Sequence, residues 1–135
     1  MSDKIHLSHI NPPVIHAPSG YTHIVVAQPG RLAYISGQVA LDHDGKLVGE
    51  GDIVVQARQV FENLRAALAT LGADFGSLIK LNFYAVDASR IQEIRDVRNE
   101  FLGTNAPPAS TFVIVKSLVR PELLIEIEAV ALLPD

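Results

Sequence analysis

The residues best suited to chemistry are polar side chains embedded in apolar segments. Glu126 and Glu128 alternate with isoleucines, so the two carboxylates share one face of a predicted strand. A buried carboxylate must be hydrogen-bonded, ion-paired or protonated. On a central strand two such acids would indicate a functional site, whereas on an edge strand they would form an acidic face in contact with water.

Other polar residues interrupt apolar runs in the same way. Asn82 and Tyr84 lie two residues apart and share a strand face. Ser110 and Thr111 begin another apolar strand, and Ser36 lies in a short Ser-Gly-Gln segment. These hydroxyl and amide groups are candidates for a small-molecule site.

The motifs of the common enzyme classes are absent from the sequence. There is no cysteine, which excludes disulfides, a thiolate nucleophile and a cysteine metal site. We find no nucleophile elbow, P-loop or dinucleotide fingerprint, and we expect no cofactor and no metal. We expect solvated or hydrogen-bonded structural roles for the five histidines, which lack metal-ligand spacing: His6, His9, His16, His23 and His43.

The composition predicts one folded domain over residues 1–135. Its 48% apolar residues can form a core and exclude a disordered tail. A net charge of -4 without a basic run argues against a nucleic-acid partner. No apolar stretch approaches the ~20 residues of a membrane span, and the N-terminus lacks a signal-peptide core. We therefore expect a cytoplasmic protein with no membrane partner.

Hydrophobic periodicity predicts the element order β-β-β-α-β-α-β-β. The Gln-Pro-Gly-Arg segment at 28–31 is typical of a turn and predicts a hairpin between the second and third strands. The predicted strands begin near Ile5 and continue at residues 24–27, 32–39, 78–86, 112–115 and 123–133.

Two helices are predicted between these strands. The first extends from Asp52, a candidate N-cap, to Gly72, a candidate C-terminal glycine. The second follows Ser89, another candidate N-cap, and ends before the two prolines at 107 and 108. Apolar residues at helical spacing mark the expected buried faces: Val55, Val60, Phe61, Leu64, Leu68 and Leu71 in the first helix, and Ile91, Ile94, Val97 and Phe101 in the second.

This order predicts an α+β fold of two layers, with two helices on one face of a mixed sheet. The strands at 24–27 and 112–115 are apolar on both faces, and such strands are covered on both sides. Because two helices cover only one face, we predict a homo-oligomer packed sheet to sheet. The alternative is a monomer with a distorted sheet edge.

The sequence resembles the RidA family, also called YjgF or endoribonuclease L-PSP proteins, over nearly its whole length. The resemblance rests on Ala-Pro-Ser-Gly-Tyr at 17–21, Tyr-Ile-Ser-Gly-Gln at 34–38, and a C-terminal block at 107–113 and 124–131. It implies a chorismate-mutase-like fold and a homotrimer with sites in clefts between subunits.

The resemblance also implies a chemistry and a set of site residues. RidA-type proteins hydrolyse reactive imines and enamines, such as 2-aminoacrylate, to a keto acid and ammonia. The protein must hold the substrate carboxylate, position a water and exclude solvent. By resemblance, Glu126 is the water-positioning acid, Tyr21 and Ser36 line the pocket, and the family's carboxylate-binding arginine falls on Ser110, next to Thr111.

Ser110 departs from the family pattern. An arginine forms charge-assisted hydrogen bonds worth about 1.5–3 kcal/mol each, whereas serine offers one neutral hydroxyl. We therefore expect small 2-imino acids to bind poorly and Ser110→Arg to raise any deaminase activity. Arg31 or Arg120 could reach the cleft from a loop, although the sequence favours surface roles for both.

Three functions follow from the sequence. The first is a hydrolytic deaminase of an imine or enamine metabolite, with Glu126 positioning the water. The second is a non-catalytic trimer whose cleft binds a small metabolite. An endoribonuclease ranks last, because RNA cleavage without a metal needs acid–base groups near a phosphate-binding cation, and the sequence shows no such cluster.

Overall fold

A computed structural model describes residues 5–134 of the chain. It confirms the predicted element order. The segment used to assess a signal peptide begins outside those residues. The elements in chain order are β1 (Leu7–Ile10), β2 (Ile24–Ala27), β3 (Arg31–Gln38), α1 (Ile53–Thr70), β4 (Leu78–Ala85), α2 (Ile91–Leu102), β5 (Ala109–Ile114) and β6 (Ile125–Leu133).

The main sheet has four strands in the order β3-β6-β4-β5. Strand β6 is antiparallel to both of its neighbours, and β5 is parallel to β4. Strands β1 and β2 form a separate antiparallel pair. The predicted hairpin between β2 and β3 is wrong, because β3 pairs with β6 and the turn at 28–31 carries the chain from one sheet to the other.

Both helices pack on one face of the main sheet, as predicted. Asp52 caps α1 by accepting hydrogen bonds from the backbone N–H groups of Val54 and Val55. The residues at the centre of the core have no more than 1% of their surface exposed and come from both layers: Phe61, Leu64, Leu81, Phe83, Ile94, Ile125 and Ile127.

Some details of the helices differ from the prediction. Val55 lies in the first turn of α1 and Leu71 directly follows the helix, and the two are 37% and 41% exposed. Ser89 does not cap α2. It lies in a short 3-10 turn at Ala88–Arg90, where Asp87 accepts the Ser89 backbone N–H and leads the chain into the helix.

The second face of the main sheet is only partly covered in a single chain. Leu32 and Tyr34 of β3 are 50% and 76% exposed, and Val113 of β5 is 39% exposed. In β6 the isoleucines face the helices, while Glu126 and Glu128 lie half-buried on this second face, which we call the open face. The patterning therefore identified an apolar surface that one chain leaves accessible.

Candidate functional site

A pocket of about 310 Å³ lies where the start of β5 meets α2 and the segment before β2. We call it the β5 pocket. It brings together Tyr21, Ser110 and Thr111, which were predicted from the sequence. The complete lining consists of Ser19, Tyr21, Arg95, Arg98, Ser110, Thr111 and Phe112.

The register of β5 explains how its residues reach the pocket. Ser110 pairs with Leu81 and Phe112 with Phe83, so both lie on the helix-facing side of the sheet. Thr111 alternates to the open face, where its hydroxyl accepts a hydrogen bond of 2.9 Å from Lys80 Nζ. The pocket therefore wraps around β5, which is an edge strand of the main sheet.

Contacts of Tyr21 and Thr22 hold the segment that carries Tyr21 in place. The Tyr21 hydroxyl lies 2.8 Å from His16 Nε2, and the ring of Tyr21 packs edge-on against His23. Thr22 donates its backbone N–H to the Pro108 carbonyl and its hydroxyl to the Pro107 carbonyl. These hydrogen bonds place the phenol beside the start of β5.

Sequence reasoning missed the two arginines of the β5 pocket. Arg98 is only 8% exposed, and its Nε donates to Asn99 Oδ1 at 3.2 Å. Among residues 5–134, no carboxylate lies within ion-pair distance of Arg98. Burial lowers the pKa of Arg98 and the charge of Arg95 lowers it further, while the charge of Asp96 acts in the opposite direction, and the arginine stays cationic at neutral pH.

A signal for Arg98 was present in the sequence. Arg98 follows Ile94 by four residues, so it falls on the apolar stripe of α2, where a charged residue is unexpected. The two arginines named from the sequence, Arg31 and Arg120, do not line the β5 pocket. Arg31 Nε donates to the Pro134 carbonyl at 3.1 Å, and Arg120 lies 3.0 Å from Glu122.

A second group of polar residues lies on the open face. Glu128 Oε1 accepts hydrogen bonds from the Tyr84 hydroxyl at 2.6 Å and from Asn82 Nδ2 at 3.0 Å. The hydrogen bond to Glu128, partial burial and the charges of Glu128 and Glu126 raise the pKa of Tyr84 above its ordinary value. A depression of about 380 Å³ beside them places Ser36 next to Glu128.

Glu126 lies on the same open face but differs from Glu128 in its surroundings. Within residues 5–134 we find no hydrogen bond to its carboxylate. That carboxylate lies against Gly37, where a β-carbon would stand 2.8 Å from Glu126 Cδ. The edge-strand alternative for the two acids is wrong, because β6 is flanked on both sides by β3 and β4.

The structure does not bring Glu126 and Ser110 into one pocket. Glu126 is on β6, two strands away from β5, and on the opposite face of the sheet. Ser36 also lies on the open face, away from the β5 pocket. A single chain therefore divides the proposed site residues into two groups.

Residues 5–134 contain no group of three or more histidine, aspartate or glutamate side chains that could hold a metal ion. No helix within the same range has both the length and the apolar character needed to cross a membrane.

The fold and the two groups of polar residues can be compared with those of known protein families. The family model for Endoribonuclease L-PSP matches residues 14–133. The chain belongs to this family, whose members are also called Rid or YjgF proteins.

Similar proteins support this assignment in sequence and in structure. Protein DfrA of Myxococcus xanthus is 34% identical over 111 residues, covering 82% of this chain and 83% of DfrA. A RutC family protein of Pyrococcus horikoshii is 35% identical over 102 residues, covering 76% of this chain and 79% of its own. The crystal structure of the Rid family protein YyfB from Yersinia pestis has a TM-score of 0.88 at 37% identity, covering 94% of this chain and 98% of YyfB.

Proposed function

We propose that the protein is a hydrolytic deaminase that converts a reactive imine or enamine metabolite to a carbonyl compound and ammonia. Glu126 is the group that positions the attacking water. The observation that carries this proposal is the difference between the two acids of β6. Glu128 is engaged by Tyr84 and Asn82, whereas the Glu126 carboxylate is free to accept a hydrogen bond from water.

The chemistry needs few protein groups, because an imine carbon is already electrophilic. An enamine first gains a proton at carbon and becomes the imine. Water then adds to the imine carbon, and the proton that it loses moves to Glu126 and on to the nitrogen. The new hydroxyl of this carbinolamine then gives its own proton to the nitrogen as the C–N bond breaks, so ammonia leaves, a carbonyl group remains and one water is consumed for each ammonia released.

Gly37 leaves room for the Glu126 carboxylate. A side chain at residue 37 would collide with the Glu126 carboxylate, so only glycine allows the carboxylate to lie against the β3 backbone. The register of β3 shifts between Ile35 and Gln38, which is a bulge of the kind that re-aims neighbouring side chains. Both features favour a position held for function.

The proposal includes a homotrimer with catalytic clefts between subunits. Within one chain, Glu126 and Ser36 lie on the open face, whereas Tyr21 and Ser110 lie in the β5 pocket. A small substrate can meet both groups only if a second copy completes the cleft. The exposed Leu32 and Tyr34 of the open face provide an apolar surface for this packing.

A trapping assay tests the proposal. An amino-acid oxidase generates a series of 2-imino acids in solution, semicarbazide traps the imine that survives, and the trapped product is measured with and without the protein. We expect the protein to lower the trapped amount for at least one imine. Glu126→Gln should remove most of this effect, while Glu50→Gln, at an exposed loop position, should retain it.

Two results would contradict the deaminase. Unchanged hydrolysis in Glu126→Gln would remove the acid from the mechanism. Failure to accelerate any imine, combined with ligand-induced thermal shifts that require Tyr21 but not Glu126, would instead identify the second function, a non-catalytic metabolite-binding trimer.

A further inference from the structure

Arg98 is a buried cation with no carboxylate within ion-pair distance among residues 5–134, and only the more distant charge of Asp96 partly offsets its own. It is more than nine-tenths buried, and the β5 pocket is the open space that its guanidinium borders. Asn99 occupies Nε only, which leaves Nη1 and Nη2 without a hydrogen bond within residues 5–134. Burying an unpaired charge is costly, so the arrangement indicates a ligand that supplies the missing negative charge.

The other residues that line the β5 pocket also favour a negatively charged ligand. The hydroxyls of Ser19 and Ser110 can each donate a hydrogen bond, and no acidic residue lines the pocket. Arg95 stands one helical turn before Arg98 on the same side of α2, but its side chain is exposed. The pocket therefore has a buried cation at depth and an exposed cation at its mouth.

We propose that the β5 pocket binds an organic dianion end to end, with one carboxylate held by the Arg98 fork and the second anionic group beside Arg95. Helix α2 thus supplies positive charge that β5 lacks at Ser110. Arginine suits the buried position because its planar fork matches the two oxygens of a carboxylate. The assignment of a substrate rests on the proposed function: for a deaminase with this site, the substrate is a 2-imino dicarboxylate and the product is a 2-oxo dicarboxylate.

A binding titration tests the proposal without any turnover. Succinate is the probe, and succinamate is its isostere with one negative charge fewer. Inorganic phosphate is the alternative dianion. By isothermal titration we expect succinate to bind about fivefold more tightly than succinamate and more tightly than phosphate, since an exposed charge pair contributes modestly. Equal affinity for succinate and succinamate would overturn the dianion preference, and stronger binding of phosphate would overturn the dicarboxylate.

Variants assign the two ends of the ligand. Arg95→Gln should abolish the preference for succinate while both ligands still bind. Arg98→Gln should weaken both ligands by about tenfold to a hundredfold, because charge-assisted hydrogen bonds are lost. Arg65→Gln, which removes an exposed arginine paired with Glu62 on α1, is the matched control and should change neither. Unaltered binding in Arg98→Gln would overturn the site.

Two further measurements separate this site from a structural role and from the deaminase. Arg98→Lys retains the charge but not the fork, so it should fold and bind succinate about tenfold more weakly. A folded Arg98→Lys with full affinity would contradict the fork. Binding without hydrolysis would refute the deaminase alone, while hydrolysis of neutral imines without dianion binding would refute this site alone.

Discussion

The guanidinium of Arg98 lies directly against Gly20, so closely that a β-carbon on residue 20 would stand 2.7 Å from Arg98 Cζ. Gly20 also has a φ of +77°, a conformation that other residues rarely adopt. The close approach joins α2 to the segment that carries Tyr21. The position of the buried cation and the position of the pocket's phenol are therefore linked through one glycine.

Gly20→Ala should displace the Arg98 guanidinium and weaken succinate binding by about tenfold, corresponding to the loss of about 1.5 kcal/mol of charge-assisted bonding. Backbone strain should also lower the free energy of unfolding by about 1 kcal/mol or more. The measurements are calorimetric titration and denaturant unfolding.

Gly45→Ala is the matched control for the strain. Gly45 has a φ of +76°, and no atom lies within 4 Å of the position of its missing β-carbon. It should lose similar stability but retain full affinity for succinate. If both variants bind equally well, the contact between Gly20 and Arg98 has no part in ligand binding.

Ser110→Arg now has an expected result opposite to that derived from the family pattern. The β5 pocket already contains Arg95 and Arg98, so a third guanidinium would repel them and fill space needed by the ligand. We expect weaker succinate binding by about tenfold or more, in line with the repulsion between like charges in a partly buried site. Titration of the variant measures this directly, and a gain in affinity would contradict the expected repulsion and support the expectation from the family pattern.

Tyr84 should titrate at unusually high pH. Its pKa is raised chiefly by the hydrogen bond to Glu128, so the folded state favours the neutral phenol. Because the folded pKa exceeds the unfolded value of about 10, this contribution to stability is complete below about pH 10 and is lost as the pH rises through the folded pKa. The ultraviolet absorbance of tyrosinate during a pH titration measures the shift.

Two variants assign that titration. Tyr84→Phe should eliminate the high-pH step, and Glu128→Gln should move it to lower pH, because the amide can still accept the hydrogen bond but carries no charge. Tyr34→Phe, which removes an exposed tyrosine of the same face, should leave the step in place. A high-pH step that survives in Tyr84→Phe would assign it to another residue.

Tyr34→Glu should prevent the proposed trimer from forming. It places a charge in the exposed apolar part of the open face, where a second copy is expected to pack. Sedimentation or light scattering should give the mass of a trimer for the parent protein and a lower mass for the variant. Val119→Glu, at a loop valine that is 85% exposed, should leave the mass unchanged. A parent protein that sediments as a monomer would refute the assembly and the shared cleft.

The sequence predicted those parts of the fold that depend on local periodicity. The core residues of α1 follow directly from helical spacing, and so does the cap at Asp52. The pairing of β3 was mispredicted because a turn between two strands does not specify their partners, and the distant β6 provides a longer complementary edge. Strand pairing over such separations depends on tertiary packing that local patterns do not encode.

The sequence likewise predicted only part of the candidate site. Tyr21, Ser110 and Thr111 meet in one pocket. Thr22, next to Tyr21, is hydrogen-bonded to Pro107 and Pro108, and these prolines directly precede β5. Glu126 and Ser36 lie elsewhere in the chain, which a list of motif residues could not reveal. Arg98 was not predicted because it belongs to none of the family motifs and lies on the apolar stripe of α2, where helical spacing predicts a core residue.

The paired prolines that precede β5 determine how the segment that carries Tyr21 is attached to the sheet. Pro107 and Pro108 have no backbone N–H, so they can only accept hydrogen bonds at this junction. Thr22 supplies both donors, one from its main chain and one from its side chain. Both protons at this junction therefore come from a single threonine, and replacing Thr22 with valine would leave the Pro107 carbonyl without its donor while the Pro108 carbonyl keeps its own.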